Sequence, residues 1–200
     1  MKEIYFITAT NTDVGKTHAS EVFLKKFAKQ DKKVGYFKPI ETGVIAKPLD
    51  GSKMLELTQS LNQSFKVTID DIVPFQFKLP AAPFVANNGV AIDIEKIKEK
   101  KDYLLEFCDV LIIEGAGGLM VPINKDYFII DLIKELNPTM TYLITPSKLG
   151  SINDTLLSSS KLEQYNLKYE WYINLYQDKE SFEEITLPFY KAYFDTIRFL

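Results

Sequence analysis

The sequence has a single cysteine, a single histidine and a single arginine among its 200 residues. One cysteine, Cys108, excludes an internal disulfide and fits a reducing compartment, and we expect its thiol in the core rather than as a nucleophile. The net charge of −3 offers no basic surface to nucleic acid or to an anionic membrane. No apolar run has the length of a membrane span, and the N-terminal run is too short for a signal peptide. We therefore expect a cytoplasmic protein that binds neither nucleic acid nor a membrane.

What the chain does have is an alternation of apolar, strand-like runs with amphipathic, helical stretches. Two hundred residues, 46% of them hydrophobic, suit one domain with a sizeable core, and we expect a single domain over residues 1–200. The alternation predicts an α/β fold with a mostly parallel sheet and helices on both faces. The proline-containing stretch Pro74–Gly89 has no clear period and predicts a loop excursion. Strands are expected in residues 3–9, 32–40, 108–118, 141–146 and 168–176, and helices in 17–30, 50–62, 93–108, 126–136 and 150–166.

The segment TNTDVGKT, Thr10–Thr17, ends like a phosphate-binding loop and follows the first apolar run. The usual pattern G-x-x-x-x-G-K-[ST] has a glycine where this chain has a threonine. Gly15 lets a phosphate approach the backbone, Lys16 can reach the outer phosphates, and the Thr17 hydroxyl can ligate Mg²⁺. The strand before and the helix after favour a nucleotide site over an exposed turn with a solvated lysine.

Two further segments end strands of the predicted sheet. FKPIETG, Phe37–Gly43, places Lys38 and the Thr42 hydroxyl after the second strand, although a lysine there can also be an ordinary surface residue. LIIEGAGGLMVPI, Leu111–Ile123, ends a buried strand with Glu114 and three glycines. A buried carboxylate is costly unless it is paired or binds metal, and Mg²⁺ is its natural partner near a phosphate loop. Ligands bind beyond the carboxyl ends of parallel strands, so we expect all three segments to meet there.

Several isolated residues allow two interpretations each. His18 follows the phosphate loop and is either a neighbour of the nucleotide or an ordinary helix position. Asp50 is either a second magnesium carboxylate or part of a turn. Asn174, at the end of a strand, either reads a base edge or caps a turn. The aromatic residues near the C-terminus are expected in the core or at an interface; they are Phe182, Phe189, Tyr190, Tyr193 and Phe194.

Four segments, TNTDVGKT, GYFKPIETG, EGAGGLMVPI and KLGSINDTLLS, occur in an order and spacing that resemble dethiobiotin synthetases, over about Lys2–Asn174. The resemblance implies a P-loop NTPase-like fold and an ATP-dependent cyclo-ligase of biotin biosynthesis. Such an enzyme uses Mg²⁺ and ATP to close a cyclic urea from 7,8-diaminopelargonic acid and CO₂. The reaction passes through a carbamate and a carbamic-phosphoric anhydride and releases ADP and phosphate. A homodimer, with the active site near the subunit interface, is also implied.

The resemblance assigns roles to individual residues. Catalytic roles fall to Lys38, Lys16 and Thr12, with Lys38 holding carbamate and γ-phosphate together and assisting proton removal. The implied metal ligands are Thr17, Asp50 and Glu114, although Asp50 stands several residues before the family's usual position, which lies nearer Lys53. The implied nucleotide-binding residues are Asp13, Val14, Gly15, Lys16, Thr17, His18, Asp50, Glu114, Gly115, Ala116, Gly117 and Asn174. The implied substrate-binding residues are Thr12, Lys38, Thr42, Gly118, Gly150, Ser151, Ile152 and Asn153.

The same architecture also serves positioning ATPases of the ParA/MinD type and small-molecule kinases. The former usually carry an early lysine in the loop, where this chain has Asn11, and kinases close arginines onto the transferred phosphate, whereas the one arginine here is Arg198. After Asn174 the chain has no counterpart of the family's Gly/Pro-containing base-enclosing segment, and we hypothesise looser base recognition. Because Lys16 and Lys38 are expected to serve anions, alanine at either should remove activity with little loss of stability.

Overall fold

The computed structural model describes residues 2–176 and 179–200. Its centre is a five-stranded sheet in the order β2-β5-β1-β8-β9, in which every neighbouring pair is parallel. These strands are β1 (Glu3–Ala9), β2 (Val34–Phe37), β5 (Val110–Gly118), β8 (Met140–Pro146) and β9 (Tyr169–Asn174). Two small sheets accompany it: β3 (Ile40–Thr42) pairs with β4 (Phe75–Phe77), and β6 (Pro122–Asn124) pairs with β7 (Tyr127–Phe128).

The helices follow the strands in the alternation that the sequence predicts. They are α1 (Lys16–Ala28), α2 (Leu49–Leu61), α3 (Ile69–Ile72), α4 (Pro83–Ala86), α5 (Ile94–Leu105), α6 (Ile129–Leu136), α7 (Ser151–Gln164), α8 (Lys179–Ser181) and α9 (Leu187–Tyr193), with a π-helical segment at Phe182–Thr186. In β5, the four consecutive residues from Val110 to Ile113 are fully buried. Successive side chains of a strand point to opposite faces, so both faces of the sheet are covered, and the predicted α/β fold class is confirmed.

Three local expectations needed correction. Pro74–Gly89 is not a plain loop, because it contains β4 and the short helix α4. The second strand is interrupted at Pro39, and its continuation, β3, leaves the main sheet to pair with β4. The predicted helix at residues 126–136 begins only at Ile129, after the two-residue strand β7.

The C-terminal segment, residues 179–200, packs against the edge strand β9. Phe182 and Tyr190 are buried, whereas Phe189 and Tyr193 are exposed and stack on each other. The only tryptophan, Trp171 in β9, contacts Tyr190 and Phe194 with ring centroids 5.0 and 4.6 Å apart. Cys108 is buried, as expected for a core thiol, and burial raises its pKa to about 12. Within the described residues, no helix has the length and apolar character needed to cross a bilayer.

Candidate active site

A cleft of about 880 Å³ opens at the carboxyl ends of β1, β2 and β5, where the three predicted segments meet. Its volume suits a nucleotide-sized ligand. Most of the predicted site residues line it: Thr12, Asp13, Gly15, Lys16, Thr17, Lys38, Thr42, Asp50, Glu114, Gly115, Ala116 and Gly117. The stretch Pro80–Pro83, from the expected loop excursion, forms part of the wall.

The phosphate-loop segment, Thr10–Thr17, is held by hydrogen bonds from residues at and just after the end of β9. Gly15 has a left-handed backbone with φ of 104°, and a Cβ there would overlap the Asn174 side-chain amide. The Asn174 amide donates to the Val14 carbonyl oxygen at 2.9 Å, and the Tyr176 hydroxyl donates to the Asp13 carbonyl oxygen at 2.9 Å. Asn174 therefore supports the loop backbone, which agrees better with the interpretation as a turn cap than with a reader of the base.

Lys16 begins α1 and lies almost fully buried beneath the loop. Its Nζ donates to the Asn11 carbonyl oxygen at 3.1 Å, so the chain bends back over the ammonium group. Burial lowers the pKa of Lys16, and the positive charge of Lys38 lowers it further, while Glu114 acts in the opposite direction. Burying an ammonium group costs free energy unless an anion pairs with it, so this position favours an anionic ligand.

Glu114, in β5, is the centre of the polar network in the cleft. Its side chain is fully buried, yet each of its oxygens has two donors. Oε1 accepts from the Thr17 hydroxyl and from Lys38 Nζ, both at 2.9 Å. Oε2 accepts from the Ser20 hydroxyl at 2.8 Å and from the Tyr36 hydroxyl at 3.0 Å. Side chains of the protein thus supply the pairing that this buried carboxylate requires.

Lys38 bridges the two acids of the site. Its Nζ donates to Asp50 Oδ2 at 2.6 Å as well as to Glu114. Burial acts against its charge, but Glu114 and Asp50 together raise the pKa of Lys38 above its ordinary value. Burial also acts against the Asp50 charge, but Lys38 holds the pKa of that carboxyl below its usual range. Lys53 pairs with Glu21 at 3.0 Å and does not line the cleft, whereas Asp50, the second residue of α2, does.

Some predicted residues lie elsewhere. His18 is exposed and does not line the cleft, which agrees with an ordinary helix position. Gly118 does not line the cleft, and a Cβ there would lie 3.1 and 3.3 Å from the backbone oxygens of Thr10 and Ala9, so the close approach of β1 favours glycine at this position. Residues 150–153, at the start of α7, are also absent from the cleft lining. There Ser151 is buried and accepts from the Tyr190 hydroxyl at 3.3 Å.

Three residues that contact the site were not assigned to it from the sequence: Ser20, Tyr36 and Glu41. Tyr36, in β2, lies two positions before Lys38, which directly follows the strand, and Ser20 follows Lys16 by one helical turn. Both spacings put the missed side chain on the face of its predicted neighbour, which is a signal that periodicity could have given. Within the described residues, no group of three or more acidic, histidine or cysteine side chains is arranged to hold a metal ion.

A glycine-lysine-threonine loop between a central strand and a helix, facing an acid in the adjacent strand, defines a P-loop NTPase fold. A plasmid partition protein from Borrelia burgdorferi shares this fold, with a TM-score of 0.59 over 100% of this chain and 88% of that one, at 14% identity. A family profile described as an AAA domain matches residues 3–173.

The particular family follows from sequence relatives. The chain is 50% identical to the ATP-dependent dethiobiotin synthetase BioD of Sulfurovum sp. (strain NBC37-1), over 94% of this chain and 90% of the relative. It is 39% identical to the enzyme of the same name from Wolinella succinogenes, over 93% and 87%. The chain belongs to the ATP-dependent dethiobiotin synthetase family.

Proposed function

We propose that the protein forms dethiobiotin from 7,8-diaminopelargonic acid, CO₂ and ATP, releasing ADP and phosphate. One observation carries this proposal: the two buried lysines, Lys16 and Lys38, share one cleft with the acids Asp50 and Glu114, in a chain that belongs to this family. The chemistry needs two kinds of anion, a carbamate and a phosphoryl group, to be held side by side. Two cations in one cleft suit that requirement.

The covalent steps define what the residues must do. One substrate amine attacks CO₂ and loses a proton, which gives a carbamate. A carbamate oxygen attacks the γ-phosphorus of ATP and ADP leaves. The second amine then attacks the carbonyl carbon of the mixed anhydride, loses a proton and expels phosphate. In this scheme Lys16 binds the transferred phosphoryl group, and Thr12 and Thr42 contact the diamine or its carbamate.

Lys38 acts as a fixed cation in this proposal. The raised pKa that Glu114 and Asp50 give it makes it a poor proton acceptor near neutral pH, which speaks against the proton-removal role suggested by the resemblance. Positioning and charge stabilisation of the carbamate and the γ-phosphate remain as its contribution.

The donor set also fits Mg²⁺. The Thr17 hydroxyl and the Asp50 carboxylate are hard oxygen ligands that line the cleft, and Asp50 is the more exposed of the two acids in contact with Lys38. Glu114 already has two protein donors on each oxygen, so it would contact the ion through water. When bound, Mg²⁺ neutralises phosphate charge during phosphoryl transfer. The residues of this chain hold and orient those oxygens: Ser20 and Tyr36 fix Glu114, and Lys38 holds Asp50.

We further propose a single-domain, cytoplasmic enzyme that acts as a homodimer. One connected hydrophobic core among the described residues supports the single domain. The start of α7, including Gly150–Asn153, stands outside the cleft of its own chain, and the neighbouring Leu149 is exposed. A substrate carboxylate bound there, at a helix N-terminus, would come from the cleft of a second subunit.

The test is an assay of MgATP hydrolysis and of dethiobiotin formation, with and without the diamine plus bicarbonate. Hydrolysis that depends on both substrates, with product formed in equal amount, is expected. Hydrolysis that ignores the diamine would favour a positioning ATPase, and phosphorylation of another acceptor would favour a kinase. Neither alternative has support in the cleft: Asn11 stands where the former has lysine, and Arg198 lies 3.5 Å from Glu170 instead. Turnover with GTP and CTP would test the looser base recognition, and a stringent preference for ATP would refute it.

A further inference from the structure

The helix that carries Asp50 begins without a cap of its own. Pro48 stands at the N-cap of α2 and provides no side-chain acceptor. The first N–H groups of a helix need acceptors from elsewhere, because no preceding turn supplies carbonyl oxygens. Helix α2 therefore depends on another part of the chain to satisfy its first turn.

Glu41, in β3, provides those acceptors. Its Oε1 accepts from the backbone N–H of Asp50 at 3.1 Å, and its Oε2 accepts from that of Gly51 at 2.9 Å. These are the second and third helical residues, whose N–H groups an N-cap side chain ordinarily binds. Glu41 is only 7% exposed, and a Cβ at Gly51 would lie 3.2 Å from its Oε2 and would overlap Val73. The small residue at position 51 thus permits the approach.

The same contacts join Glu41, Asp50 and Lys38 in one network in the wall of the cleft. Glu41 holds the backbone of Asp50, the Asp50 carboxylate accepts from Lys38 at 2.6 Å, and Lys38 lies three residues before Glu41 on the chain. Both Glu41 and Asp50 line the cleft. If the first turn of α2 loses its capping carboxylate, the position of Asp50 relative to Lys38 is no longer fixed.

We infer that Glu41 is a positioning residue that sets the Asp50–Lys38 pair by capping α2 from the neighbouring strand. The inference rests on the proposed function, since that function gives the pair its purpose. Among the described residues, Glu41 accepts hydrogen bonds from backbone N–H groups only, whereas Glu114 accepts them from side chains, so the two acids have different roles.

A double-mutant cycle between Glu41→Ala and Asp50→Asn tests the inference. Glu41→Ala alone should lower kcat for dethiobiotin about 10- to 100-fold, because small misplacements in an active site have effects of this size. In the Asp50→Asn background the same change should alter kcat by no more than about twofold, because its effect acts through the Asp50 carboxylate. Glu41→Gln keeps one acceptor oxygen and should recover part of the lost kcat.

A matched control comes from another helix cap. Asp93 caps α5 by accepting from the Lys96 backbone N–H at 3.2 Å, and it does not line the cleft. Asp93→Ala should lower the melting temperature while leaving kcat unchanged. If Glu41→Ala lowers kcat by the same factor in the Asp50→Asn background as in the wild type, the inference is wrong.

The same double-mutant cycle is repeated with the affinity for a nonhydrolysable ATP analogue as the measured quantity. A wild-type protein that makes no dethiobiotin would overturn the proposed function. The affinity cycle then decides on Glu41 separately: non-additive effects support the positioning role, and additive effects overturn it. Should Glu41→Ala not fold, Glu41→Gln takes its place in both cycles with the same criteria.

Discussion

Replacing Lys38 with alanine should cost stability as well as activity, contrary to the expectation drawn from sequence. The Lys38 and Glu114 side chains are 7% and 0% exposed and lie 2.9 Å apart, so removing the lysine leaves a buried carboxylate without its cation. Breaking a buried pair in this way costs about 3–5 kcal/mol. Glu114 keeps three neutral donors, from Thr17, Ser20 and Tyr36, and this favours the lower end, about 3 kcal/mol.

Urea denaturation followed by circular dichroism measures the loss, and thermal melting should fall by roughly 6–12 °C for a chain of this size. Adding Glu114→Gln to Lys38→Ala removes the unpaired charge, so most of the lost free energy of unfolding should return while activity stays absent. Lys53→Ala is the control, because the Lys53–Glu21 pair is exposed at the surface and is expected to contribute less than about 1 kcal/mol. A Lys38→Ala protein as stable as the wild type, or no recovery in the double variant, would refute the reasoning.

Three further predictions follow from the buried polar groups. Tyr36→Phe should lower the free energy of unfolding by about 1.5–3 kcal/mol, because a hydrogen bond to a charged group is lost; an unchanged urea midpoint would contradict this. Burial lowers the pKa of Lys16, and a bound phosphate should raise it again. Nucleotide binding should therefore be accompanied by proton uptake at alkaline pH values below the ordinary lysine pKa of 10.5. Calorimetry in buffers of different ionisation enthalpy measures this uptake, and its persistence in Lys16→Met would disprove the assignment. The Cys108 thiol, with its pKa raised to about 12, should resist disulfide reagents in the native protein and react quickly in urea; rapid native labelling would contradict its burial.

The sequence predicted the parts of the site that depend on local patterns. An apolar run followed by Glu114 and glycines indicated β5 and its end, and the loop Thr10–Thr17 was recognisable from its last three residues. Their meeting at one edge followed from the parallel order of the strands. The contacts of Glu114 with Ser20 and Tyr36 were not predicted, because these residues lie 94 and 78 positions away along the chain and reach Glu114 only through the packing of α1 and β2 against β5.

Short elements, and helix caps formed by residues outside the helix, also could not be predicted from local sequence patterns. The strand β4 has three residues, too few to show a period, and exists because β3 pairs with it. Glu41 sits within a recognised motif, yet its function depends on the first turn of α2, ten residues later in the sequence at Gly51. Nothing in the pattern around Glu41 distinguishes a capping carboxylate from a solvated one.

The packing of Trp171 gives the protein a built-in optical probe. As the only tryptophan, it can be excited selectively, and its emission reports on the contacts of Tyr190 and Phe194 with β9. The same strand ends at Asn174, whose amide holds the phosphate loop through Val14. Intrinsic fluorescence therefore follows the docking of the C-terminal segment without any attached label, and it does so from the strand that also supports the nucleotide loop.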